Sequence, residues 1–281
     1  MSDCVYVNLD RLPDRAAFAE AQLVHGGLTN PRRASAIDAS AAPNGVITDR
    51  YKPHRGGPYW EIKPSAVACF ESHRVIWEAF LASSNETISV FEDDMLVSET
   101  AGAVIKRLSA NAEAFEFVKL DGAPQQVRFG AAEVVDGLEL RPFRQVAVSS
   151  AGYLLTRRGA EVLLEVAETY CDHLDDFLTR EHAGFRAFQL FPAVSIQAMF
   201  VELSGHPDVP ASAAGSERTG GTSHTAGLSK GPWHYRLAKE WSRVRMKATR
   251  SLGGDRTLLA QGGAICQVPL AGDLPAYRRG A

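Results

Sequence analysis

The chain has 281 residues, 45% of them hydrophobic, and a net charge of -3. That length fits one domain of about 200 residues plus an appendage, and the hydrophobic share is ordinary for a globular protein with a core. The bulk charge points to neither a nucleic-acid partner nor a membrane.

The start has neither the basic leader nor the apolar run of a secretory signal. No stretch approaches the roughly 18 apolar residues needed to span a bilayer. The cysteines Cys4, Cys69, Cys171 and Cys266 form no CxxC pair, so they suggest neither a zinc site nor a redox motif. They read as free, buried structural thiols in a reducing cytoplasm.

A short apolar run over 4–9 predicts a first strand. Pro13 suits the first turn of a helix carried by 16–24 and ended by Gly26 and Gly27. A second short strand fits 34–37. Residues 38–64 are rich in proline and glycine and read as a long loop of the kind that borders a site. Ser65 can cap a helix over 65–82, whose apolar side includes Phe70, Ile76 and Trp77. A buried-looking strand over 87–91 then runs into Glu92, Asp93 and Asp94.

Further on, 101–108 is helical in composition, and a strand over 117–120 ends at Asp121 and Gly122. Short strands fit 146–148 and 152–156, a helix fits 158–170, and a last strand fits 195–201. Arg157 and Arg158 at the head of that helix read as solvated. Strands alternating with helices predict an α/β domain, of single Rossmann type with a mostly parallel sheet, over 1–203. Residues 204–232 lose their large apolar side chains and read as a flexible linker or loop. Residues 233–281 form a tail headed by a basic amphipathic helix, with Trp233, Leu237, Trp241 and Val244 recurring at helical spacing among Arg236, Lys239, Arg243 and Arg245.

Glu92, Asp93 and Asp94 carry the strongest chemical signal. Buried acids are costly unless paired or bound to a metal, and the carboxyl end of a strand in an open α/β sheet is where ligands bind. Were the strand to continue, Glu92 and Asp94 would point one way and Asp93 the other. Such a carboxylate pair can hold Mg²⁺ or Mn²⁺ together with diphosphate oxygens. A turn cap, or neutralisation by nearby Lys and Arg, accounts for the triplet equally well at this point.

Six blocks in order resemble glycosyltransferase family 25, which includes bacterial lipooligosaccharide galactosyltransferases and collagen galactosyltransferases. They are VYVNLDRLPDR at 5–15, ACFESHR at 68–74, VFEDD at 90–94, AGYLLTRRGA at 151–160, DDFL at 175–178 and FPAVSIQ at 191–197. Glu71 and Gly152 depart from the family pattern. The resemblance implies a GT-A-like fold and inverting transfer from a UDP-sugar, often UDP-galactose, to a saccharide or lipid-linked saccharide acceptor in lipopolysaccharide or lipooligosaccharide biosynthesis.

Within that frame Glu92 and Asp94 are the expected metal ligands, with Mn²⁺ or Mg²⁺ as the ion. Inverting transfer needs a general base on another segment. Asp175 is the first candidate and Asp176 the second, while an N-cap is the plainer role for either. The turn after the first strand, with Asn8, Asp10, Arg11 and Arg15, is expected on the donor side, Arg15 as a phosphate partner or in a surface pair with Asp10 or Asp14. His73, Asp93, Asp121 and Gln197 complete the expected donor site, although a helix histidine among apolar neighbours is ordinarily core. The helix over 233–250 would suit an anionic membrane surface, making the enzyme a peripheral protein on the inner face of the cytoplasmic membrane. Two other readings stay open: an inactive saccharide-binding or scaffold protein, and a metal-dependent nucleotidyltransferase. The latter is disfavoured because no phosphate-cradling glycine loop is present.

Overall fold

The computed structural model describes residues 3–42, 46–54, 58–203, 208–214 and 227–278. Strand β1 (Asp3–Asn8) leads through Pro13, which sits in the first turn, into helix α1 (Pro13–His25). Proline is well suited there because that N–H has no partner inside the helix. Strand β2 (Arg32–Ser35) then pairs parallel with β1. Helix α2 (Pro64–Leu81) delivers the chain to β3 (Thr87–Glu92), which lies parallel to β1 on its other side. After β4 (Met95–Val97) come α3 (Ala101–Ser109), β5 (Phe117–Lys119), β6 (Asp121–Gly122) and β7 (Val127–Phe129). Next are β8 (Glu133–Val135), β9 (Leu138–Pro142), β10 (Gly152–Thr156), α4 (Arg157–Val166) and α5 (Leu174–Thr179). The domain continues with β11 (Ala187–Phe191) and β12 (Ser195–Gln197).

Eight strands form the central sheet in the order β2-β1-β3-β10-β5-β11-β9-β8. β10 is antiparallel to both its neighbours, as is β9, so the other six strands share one direction. Side chains alternate across this sheet. On β1, Val5 and Val7 enter a cluster with Phe70 and Trp77 of α2, Leu163 of α4 and Phe177 of α5. Cys4 and Tyr6 enter the opposite cluster with Leu23 of α1 and Ile105 and Leu108 of α3. The result is the layered α/β architecture expected from the alternating pattern. Its open end, beyond Asn8 and Glu92, is where side chains can gather without belonging to the core.

Several local expectations are corrected. Ser65 is not the cap of α2: Lys63 takes that place and Pro64 opens the helix. Residues 146–148 form no strand, and Val146 and Val148 are part-exposed. Ahead of them, 133–142 folds into a hairpin. Val135 pairs with Leu138 across Asp136 and Gly137, whose φ values of 48° and 72° suit a two-residue hairpin turn. The helix expected over 158–170 stops at Val166, and Thr156 caps its start, its hydroxyl accepting from the Gly159 N–H at 3.1 Å. Arg157 is not solvated. Its guanidinium donates to the carbonyls of Leu81 at 2.9 Å and Asn85 at 3.1 Å, closing the end of α2.

Of the two departures from the family pattern, Gly152 has a steric reason. A Cβ on Gly152 would sit 2.7 Å from Ser195 Oγ and 3.2 Å from a Phe91 ring carbon. Glu71 is buried beside the Tyr170 hydroxyl.

Packing does not stop at residue 203. Of the expected linker, 204–207 and 215–226 lie outside the described residues, while Ala213 is buried and Ser212 donates to Asp14 at 2.7 Å. Helix α6 (Trp233–Thr249) and the short α7 (Asp255–Ala260) follow. The chain then returns: β13 (Ala264–Cys266) pairs antiparallel with β7, Val268 and Ala271 are buried, and the Asp273 carboxylate accepts from Ser98 Oγ at 2.9 Å and the Glu99 N–H at 2.8 Å. α6 itself has no buried residue. No helix among the described residues is long and apolar enough to cross a membrane.

Candidate functional site

Where β1 and β3 end, a cavity of about 280 Å³ opens between α1, α2 and the loop after β2. Asn8, Arg11, Arg15, Asp38, Cys69, His73, Glu92, Asp93, Asp94 and Gln197 lie on its wall. Parallel pairing sets Val7 beside Glu92, so the first strand's turn and the acidic triplet share one end of the sheet.

The strand does not continue through the triplet: β3 ends at Glu92, and Asp93 and Asp94 form a turn into β4. The carboxylates still divide. Gln197 Nε2 donates to Glu92 Oε2 at 3.1 Å and to Asp94 Oδ1 and Oδ2 at 3.2 and 3.3 Å. Asp93 turns instead to Asn8, whose Nδ2 donates to its Oδ2 at 2.6 Å. Arg15 spans the two groups, pairing with Asp93 and, at 3.3 Å, with Asp94 Oδ2. Burial raises the Asp93 carboxyl to about 6 against the pull of Arg15, and the charge on Asp94 adds to the rise. The expected surface pair of Arg15 with Asp10 or Asp14 does not form: Arg15 is only 5% exposed and is committed to the triplet.

Asp10 lies outside the cavity wall. Its exposed carboxylate accepts from Ser35 Oγ at 2.9 Å and from Arg33 at 2.6 Å, and these bonds hold it below the usual carboxylate range. Arg11 does reach the wall, in an ion pair of 2.9 Å with Asp38. His73 is buried, with Nδ1 2.8 Å from Tyr153 Oη, and it too faces the cavity. It is thus both a core residue and a wall residue.

Asp121 is fully buried behind the wall and pairs with Lys119 Nζ at 2.7 Å. It also accepts the Gly152 N–H at 3.3 Å. Burial pulls the Lys119 ammonium down, while Asp121 acts to hold its proton. Ser149, unmarked in the sequence, links the pieces. Its hydroxyl stands 2.5 Å from Asp121 Oδ2 and 3.1 Å from Gln197 Oε1, and its N–H donates to Asp175 Oδ2 at 3.2 Å. Ser149 has φ of 70°, an uncommon value for a non-glycine residue, and nothing in the sequence marks it.

Asp175 and Asp176 sit in the first turn of α5, but neither is its cap, a place taken by His173. Asp175 is oriented by two backbone N–H groups, those of Ser149 and, at 3.1 Å, Asp176. Asp176 accepts from Tyr59 Oη, and its carboxyl is raised by burial. Neither residue lines the triplet's cavity. Tyr59 opens instead onto a second, larger cleft of about 780 Å³, shared by Trp60 with Trp233, Tyr235, Arg236, Lys239 and Arg243 of α6. Lys239 stands 5.1 Å over the Tyr59 ring.

None of the four cysteines is in a disulfide, yet only Cys4 and Cys171 are buried. Cys69 and Cys266 are half-buried, and Cys69 belongs to the cavity wall.

Residues 2–179 match the family model described as glycosyltransferase family 25 (LPS biosynthesis protein). A Haemophilus influenzae protein named "Putative glycosyltransferase" is 24% identical over 221 residues, which is 75% of this chain and 72% of that protein. Among solved structures, HddC from Yersinia pseudotuberculosis is 13% identical with a TM-score of 0.36, over 70% of this chain and 93% of that one. The bifunctional IspDF from Campylobacter jejuni is 12% identical with a TM-score of 0.34, over 67% of this chain and 48% of that one. Likeness at that level identifies no activity. The family match covers most of the chain and contains the first strand, the α2 helix, the acidic triplet and the start of α5: the chain belongs to glycosyltransferase family 25, and it is a glycosyltransferase.

Proposed function

We propose that the protein transfers galactose or another hexose from a UDP-sugar to a saccharide acceptor, with inversion, in lipopolysaccharide or lipooligosaccharide assembly. The observation that carries this reading is the convergence of Glu92 and Asp94 on the Gln197 amide in the cavity wall. Two carboxylates converging on one amide nitrogen fit a hard divalent ion, which prefers oxygen ligands and keeps few from the protein. Mn²⁺ or Mg²⁺ held by Glu92 and Asp94 would neutralise the departing diphosphate.

The chain's own groups have distinct tasks. Arg15 and Asn8 fix Asp93 and, through Arg15, Asp94, so Arg15 serves to position carboxylates rather than to grip phosphate directly. Arg11 and His73 line the cavity where the donor would lie. Asp175 is the general base that takes the acceptor hydroxyl proton. Support for this comes from its two backbone donors, which orient it, and from Ser149, which joins it to Gln197. Asp176 is occupied by Tyr59 and suits a role in the aromatic, basic cleft. Such a cleft fits an acceptor with sugar faces to stack and acidic groups to pair. α6 exposes Trp233, Leu237, Trp241 and Val244 among its basic residues, which fits peripheral contact with an anionic membrane carrying a lipid-linked acceptor.

A thermal-shift screen of nucleotide sugars with and without Mn²⁺, followed by UDP release with acceptor, tests the reading. Stabilisation by a UDP-sugar that requires Mn²⁺ is expected; indifference to every UDP-sugar would overturn it.

A further inference from the structure

Cys69 and His73 stand four residues apart on α2, a spacing that sets both side chains on one face of the helix. Glu92 ends β3 opposite them. The Cys69 sulfur, one imidazole nitrogen of His73 and one Glu92 carboxylate oxygen lie within 4.8 Å of one another. All three residues line the 280 Å³ cavity. Nδ1 of His73 is 2.8 Å from Tyr153 Oη, which also accepts from Trp77 Nε1 at 2.9 Å. With Nδ1 kept by Tyr153, Nε2 is the nitrogen left to serve as the ligand. The Tyr153 contact is the outer hydrogen bond that metal-ligating histidines generally carry.

A sulfur, a nitrogen and an oxygen make a borderline-soft donor set. Mg²⁺ and Ca²⁺ prefer all-oxygen ligation, whereas zinc-class ions accept all three atom types. With bonds of about 2.0–2.3 Å, a tetrahedral ion spaces its ligand atoms by roughly 3.3–3.8 Å, so small side-chain rotations close the observed cluster. Three protein ligands with the fourth position left open is the pattern of a reactive or ligand-binding zinc site rather than a closed structural one.

We propose that Cys69, His73 and Glu92 bind a zinc-class divalent cation whose fourth coordination position opens into the cavity. Binding releases the Cys69 thiol proton to solvent, leaves His73 neutral with Nδ1–H donating to Tyr153, and needs no redox step. The site shares Glu92 with the oxygen-only pair Glu92 and Asp94 but does not use Asp94, so the two assignments separate experimentally.

Co²⁺ is the probe, because a cobalt–thiolate bond gives a near-ultraviolet charge-transfer band that oxygen ligands do not give. Metal-free full-length protein titrated with Co²⁺ is expected to develop that band, saturating at a single equivalent, bleached by Zn²⁺ and untouched by excess Mg²⁺. Cys69→Ser should remove the band with an unchanged circular dichroism spectrum. Asp94→Ala should keep it, and Tyr153→Phe should weaken Co²⁺ binding about tenfold. Folded wild-type protein without the band, or a band that survives Cys69→Ser, would overturn the assignment. Loss of the band in folded Asp94→Ala would overturn the ligand set.

Discussion

The side-chain amide of Gln197 spans both oxygens of Asp94, at 3.2 and 3.3 Å. The same nitrogen reaches Glu92 Oε2 at 3.1 Å, so one residue from β12 aligns two carboxylates from the end of β3. Replacing it by Leu keeps the volume and removes the donor. Gln197→Leu should lower kcat/KM by about 10- to 100-fold, the cost ascribed to losing an outer partner of a metal ligand. The apparent Mn²⁺ requirement should rise with it. Steady-state transfer measured across a Mn²⁺ series checks this, and a wild-type Mn²⁺ dependence would deny Gln197 an aligning role.

Behind the cavity wall, Lys119 and Asp121 form an ion pair that is 1% and 0% exposed at its two side chains. Removing one partner strands a buried charge. Lys119→Met should destabilise the fold by about 3–5 kcal/mol, and the double change Lys119→Met with Asp121→Asn should recover part of that loss. Urea unfolding of the four members of the cycle gives the coupling; strict additivity would mean that the pair does not act as a unit.

How much of this could be read from the sequence depends on range. The strand ending at Glu92, the proline-led α1 and the blocks around 68–74 and 151–160 are local or strongly patterned, and they stand close to where the sequence puts them. The Asp136-Gly137 hairpin turn carries a local signal, an Asp-Gly pair between two strand-like runs. Ser149 was not readable, because its role comes from a left-handed backbone and from partners 28 and 48 residues away in the chain. Arg15 stands in the first turn of α1 rather than on the turn before it, and its partner Asp93 follows the end of another strand, a contact that sequence spacing cannot give. Cys69 has no CxxC partner in the sequence, because its neighbours are a helical turn away and across the sheet. The return of 264–277 to the domain follows a stretch without core-like composition, which hid it.

Acid should loosen the loop after β2. Ser40 and Arg11 hold Asp38 down at about 2, below its ordinary 3.8. The unfolded chain therefore binds more protons than the folded one between those values. The stabilisation is whole above about pH 4 and is lost as pH falls through about 2. Because the side chain is 26% exposed, its worth is on the order of 1 kcal/mol. The stability difference between wild type and Asp38→Asn should be flat from pH 7 to 5 and shrink towards pH 2. Denaturant midpoints across that range measure it; a gap that widens in acid would reverse the sign.

The proposed membrane contact through α6 is tested by substitutions rather than truncation, since the chain beyond residue 260 packs on the domain. Trp233 and Trp241 are 73% and 72% exposed. Trp233→Ala with Trp241→Ala should cut co-sedimentation with anionic vesicles several-fold while leaving the melting temperature unchanged, and binding to neutral vesicles should be weak throughout. Equal binding by wild type and the double variant would remove α6 as the anchor.

The most direct test of the central claim is Mn²⁺-dependent transfer from a UDP-sugar by Asp94→Ala. The Asp94 carboxylate meets both Gln197 and Arg15 in the cavity wall, so its loss should abolish turnover while circular dichroism and the melting temperature report a folded protein. Turnover at the wild-type level, with the wild-type Mn²⁺ dependence, would contradict the assignment of the donor and cation site to the end of β3.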